Sequence, residues 1–135
     1  AMPVKTWIDQ GVRVTFEAAG MDFWTPIYSL ITRRIPRKGI FGAPIPEDGQ
    51  DLVLLPEEAI DRVSALKMAT TWASEYMMAE DTIGTLEPGK YADFAVLEED
   101  FFSIPVAEIR NGIPVVMTGL GGQIIYEQTQ RTNSK

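Results

Sequence analysis

In the first half of the chain, one stretch alternates as a strand should. Residues 12–17, VRVTFE, place Val12, Val14 and Phe16 on one side and polar residues on the other, the period-2 pattern of a half-buried strand. The next strand pattern, ADFAVL, arrives at residues 92–97. A lone strand has two unpaired edges and an apolar face, and it is unstable and prone to aggregate in water. It must pair with strands from the far end of the chain, or with the same strand in another copy. Any fold for this sequence has to meet that demand.

Residues 3–10, PVKTWIDQ, read as a short helix, with Pro3 near its first turn, Gly11 closing it, and Val4, Trp7 and Ile8 on one face. Asp22 is placed to cap a second helix over about 23–33, where Phe23, Ile27, Leu30 and Ile31 have helical spacing. Residues 34–50 are rich in proline and glycine and predict an irregular loop. That length is unusual in a compact domain and suggests a segment that covers or binds something. From 57 or 61 to 78, Val63, Leu66, Ala69, Trp72, Ala73, Tyr76 and Met77 form a wide apolar stripe, which predicts one long helix with a packing face.

Residues 92–97 predict a buried strand, and 105–110 fit helix or strand equally. IPVVMTG and QIIYEQ flank Leu120-Gly121-Gly122, the pattern of a hairpin with a glycine turn. The fold class is therefore α/β, in the order αβα, loop, α, three strands, with the helices packed on a small C-terminal sheet. One domain spans 3–127. The tail, 128–135 (QTQRTNSK), has no apolar residue and is expected to be disordered.

Composition removes several function classes. The chain of 135 residues has a formal net charge of −7, which disfavours nucleic acid and anionic membrane surfaces. Its basic cluster, Arg33, Arg34, Arg37 and Lys38, is interrupted by Pro36 and has no aromatic residues among it, so it reads as a solvated loop. No cysteine and no apolar run of membrane-spanning length are present; no signal peptide and a cytoplasmic location are expected. There is no histidine. That takes away the commonest general base, the Ser–His and Cys–His nucleophile pairs, and the commonest transition-metal ligand.

GTLEPGKY, residues 84–91, fits the G-x-x-x-x-G-K frame of a phosphate-binding loop. The frame needs Ser or Thr after the lysine for the magnesium ion, and this chain has Tyr91. Pro88 has no N–H to offer a phosphate, and Glu87 adds negative charge. The stretch also follows a helix and leads into a strand, the reverse of a loop that sets phosphate on a helix N-terminus. The match is accidental. Pro88-Gly89 suits a type II turn instead, Asp93 is placed to bond that turn's amides, and Lys90 reads as a surface charge.

The same residues resemble the C-terminal signature of the metal-dependent amidohydrolases. Ile83, Gly84, Leu86, Pro88, Gly89, Lys90, Ala92, Asp93, Ala95, Val96 and Leu97 fall on the family's helix-to-strand motif. Thr118, Gly121, Gly122, Ile124, Ile125 and Tyr126 fall on its closing hairpin. WIDQGVRVTFEAAG resembles the last barrel helix and eighth strand, and LITRR the helix that follows in the branch acting on exocyclic amides. The resemblance runs from about residue 3 to 127 and covers the end of the family's fold. It implies the last barrel strand and its helices plus a small C-terminal sheet, completed by oligomerisation.

The family implies zinc or another divalent metal at the mouth of a TIM barrel, held mainly by histidines from earlier strands. One aspartate after the eighth strand also acts as base for the metal-bound water. By this alignment the aspartate position is Ala19, within Glu17-Ala18-Ala19. A shift would bring Glu17 or Asp22 to it, but Asp22 also reads as a helix cap and Glu17 as a structural acceptor. One carboxylate without histidines cannot hold zinc, so no catalytic, cofactor or metal residue is assigned to the chain alone.

Three readings follow. The chain is a non-catalytic binding or assembly module derived from an amidohydrolase; or it belongs to a hydrolase of C–N bonds whose barrel and histidines come from another chain; or it uses the 34–50 loop as a lid over Glu17, Asp22 and Tyr28 in carboxylate chemistry. The first two both predict association, most simply a twofold homodimer that buries the helix faces bearing Trp24, Trp72 and Tyr76.

Overall fold

The computed structural model describes residues 2–17, 22–35 and 51–129. Helix α1 is Val4–Asp9, helix α2 Trp24–Thr32. Strands β1 (Arg34–Ile35) and β2 (Leu52–Val53) pair antiparallel. A 3-10 turn at Pro56–Glu58 leads to α3 (Arg62–Ala69) and α4 (Thr71–Tyr76). Then come β3 (Phe94–Leu97), α5 (Val106–Ile109), β4 (Val115–Leu120) and β5 (Gln123–Glu127). The chain is thus mixed α and β, with a second, three-stranded antiparallel sheet in the order β3-β4-β5.

Residues 12–17 do not form the expected strand. Val12 N–H closes α1 by donating to Trp7 O at 2.9 Å, and Val14 and Phe16 rest half-buried against the core. The Thr15 hydroxyl donates to Met68 O at 2.9 Å. Side chains hold this segment in place of a backbone ladder, so its alternation records which residues touch the core.

The core lies among the helices. Val4, Trp24, Ile27, Tyr28, Ile60, Ala65, Met68, Phe101, Ile104, Ile109 and Ile113 form one buried cluster. Trp24 meets Phe101 at 6.0 Å between ring centroids and Phe23 at 5.1 Å, edge to face. Helix α2 is central, packing on both α3 and α5. Within residues 105–110, Val106–Ile109 form helix α5, and Ile109 is fully buried in this cluster.

The predicted long helix is broken at Thr70, whose φ −129°, ψ −92° lie outside the helical region. Thr70 is β-branched, and its hydroxyl donates back to Leu66 O at 2.8 Å, an i−4 bond that bends helices. The break turns the stripe. Leu66 and Trp72 pack on the core, Ala65, Met68 and Ser74 become the buried positions, and Val63, Tyr76 and Met77 face solvent.

The three-stranded sheet differs from expectation in two ways. Its strand β3 is half exposed, and every residue of β5 is exposed. The helices pack on one another, and the sheet reaches the core through Leu97. The hairpin itself is as predicted: Gly121 and Gly122 have φ +57° and +80°, the left-handed pair a two-residue turn requires.

Of the remaining expectations, residues 36–50 of the long loop and 130–135 of the tail lie outside the described residues.

Candidate functional site

The carboxylates nearest the aspartate position have separate structural surroundings. Asp22 Oδ1 accepts from Trp24 N–H at 2.9 Å and Thr25 N–H at 2.8 Å, and Oδ2 accepts from the Thr25 hydroxyl at 2.6 Å. The hydroxyl bond, aided by the two amides, holds the Asp22 carboxyl below the usual carboxylate range against the opposing effect of burial. This is an N-terminal helix cap. Its oxygens already satisfy the first turn of α2, as the sequence suggested.

Glu17 is exposed at the end of the extended run. Tyr28 is buried beneath the guanidinium of Arg110, 5.8 Å from the ring centroid. Among the described residues no hydrogen bond joins Glu17, Asp22 and Tyr28. Ala19 lies outside the described residues.

Zinc needs three or four protein ligands. The sequence has no histidine or cysteine, and among the described residues no group of three or more Asp and Glu is placed to hold an ion. The described residues therefore do not fit the divalent metal that the resemblance implies.

The GTLEPGKY stretch is a packed connection. Lys90 N–H donates to Glu87 O at 3.2 Å and Gly89 has φ +96°, the Pro-Gly turn expected. Lys90 Nζ pairs with Glu87 at 3.1 Å. Gly84 lies so close to α4 that a Cβ would fall 2.2 Å from Ser74 Oγ. Asp93 does not bond the Pro88-Gly89 turn. Its Oδ1 accepts from Gly121 N–H at 2.6 Å, while Gly122 N–H donates to Ala92 O at 3.2 Å. The two halves of the signature are therefore clasped together, turn of the hairpin against entry of β3.

Two charged side chains have roles that no sequence pattern marked. Glu58, buried, accepts from the N–H of Thr6 at 2.9 Å and also from its hydroxyl, which fastens α1 to the 3-10 turn. Glu57 beside it is exposed, and nothing in Pro-Glu-Glu distinguishes the two. Arg62 donates to Phe101 O and, at 2.6 Å, to Ile104 O. A shallow hollow of about 330 Å³ is lined by Glu99, Ile104, Glu108, Asn111, Gly112, Ile113 and Pro114. No sequence motif marked it.

Comparison with known proteins bears on the whole chain. A curated relative, the N-substituted formamide deformylase of Arthrobacter pascens, is 29% identical over 130 residues, which is 94% of this chain and 22% of that protein. The chain thus spans about a fifth of the relative's length. Among solved structures, an amidohydrolase from Thermotoga maritima MSB8 aligns with a TM-score of 0.45 and 18% identity, over 78% of this chain and 35% of that one. The sequence pattern of the amidohydrolase family matches residues 1–126. With that match over nearly its full length, the chain belongs to the amidohydrolase family.

Proposed function

We propose that this chain is a non-catalytic assembly module of the amidohydrolase family. The observation that carries the reading is the ligand inventory: no histidine or cysteine in the sequence, and no group of three or more acidic residues placed to hold an ion among the described residues. Of the two carboxylates near the aspartate position, Asp22 is engaged as a helix cap and Glu17 is exposed. The signature residues act as a clasp between hairpin and strand, which is structural work. Elemental mass spectrometry on protein purified without a histidine tag tests this. Metal well below one equivalent per chain is expected, and one tightly held equivalent overturns the reading.

A second reading is favoured by the 22% share of the formamide deformylase that the chain spans. Here the chain is part of a hydrolase acting on a C–N bond, an N-substituted formamide being one substrate class, and the barrel with its histidines is supplied elsewhere. Formate release from an N-substituted formamide would be absent for the chain alone. It would appear when the chain is co-expressed with the remaining sequence of the deformylase.

Self-association follows under either reading, but through a different face from the one expected, since Trp24 is buried in the core and Trp72 packs against it. Ile124, Ile125 and Tyr126 on β5, with Leu120 on β4, face solvent, and apolar residues on an edge strand favour cover by another chain. A twofold homodimer is the simplest arrangement. Sedimentation at micromolar concentration should give a dimer, and a monodisperse monomer rejects it.

A further inference from the structure

We draw no further inference here: the strongest candidate, the shallow hollow beside α5 lined by Glu99, Glu108 and Asn111, is an acidic cluster with no second feature that points to a ligand.

Discussion

Asp93 and Gly121, 28 positions apart, are joined by a 2.6 Å hydrogen bond from the Gly121 N–H to the Asp93 carboxylate. The bond ties the entry of β3 to the turn between β4 and β5, across the middle strand. The β3–β4 ladder from Phe94–Gly119 to Leu97–Val115 positions the hairpin, and this bond closes the turn end of it. Asp93→Ala should cost about 1 kcal/mol, the usual net worth of an exposed hydrogen bond, and should loosen the turn. Asp93→Asn keeps an acceptor and should recover most of the loss. Urea unfolding gives the stability change, and amide exchange at Gly121 and Gly122 should quicken in the alanine variant while exchange in α2 does not.

The two glycines of the GTLEPGKY frame should respond differently to the same change. Gly84 has φ +93°, and an added Cβ would lie 2.2 Å from Ser74 Oγ and 2.7 Å from Ser74 Cβ. Gly84→Ala therefore combines left-handed strain with a clash against a buried helix residue, about 3 kcal/mol together. Gly89 has φ +96° and open space around it, so Gly89→Ala should cost about 1–2 kcal/mol from backbone strain alone. Equal losses in thermal unfolding would mean that the contact with Ser74 is not what requires glycine at 84.

Arg62 stands at the first position of α3, where a cation opposes the helix dipole. Its value is tertiary: two hydrogen bonds to the carbonyls of Phe101 and Ile104, with the guanidinium 5.8 Å from the Phe101 ring centroid. Lysine cannot place two donors in that fork. Arg62→Lys should lose about 1–2 kcal/mol, and Arg62→Met, which keeps only an apolar stem, should lose at least as much. A neutral result for Arg62→Lys in urea unfolding would reduce the contact to a simple point charge.

What the sequence made legible was local chemistry. The Pro88-Gly89 turn, the Gly121-Gly122 hairpin and the Asp22 cap depend on backbone geometry that only a few residue types supply, and each is found where the residues stand. Periodicity failed where side chains choose between neighbours. VRVTFE alternates in the same way whether it pairs with a strand or lies on the core of helices, and the stripe from Val63 to Met77 is continuous only if Thr70 keeps helical angles. Glu58 and Arg62 act on partners about forty or fifty residues away, which composition and spacing do not encode.

Acid should weaken the fold through identifiable carboxylates. Bonds from the Thr25 hydroxyl and amides lower the pKa of Asp22, and those from the Thr6 hydroxyl and amide lower that of Glu58. At Asp61 burial pushes the pKa up, but bonds from the Ser64 amide and hydroxyl outweigh it. For each group the folded pKa lies below the unfolded value of about 4. The unfolded state therefore binds protons first as pH falls, and the stability these groups add is complete above the unfolded pKa and lost as pH drops through the folded one. The urea midpoint should hold from pH 7 to about 5 and then fall steadily toward pH 2. Glu58→Gln should lower the midpoint at pH 7 and flatten its decline in acid, because the neutral amide cannot be protonated in that range. If the variant and the parent decline in parallel, the Glu58–Thr6 contact contributes nothing to the acid sensitivity and α1 is held by Val4 and its packing.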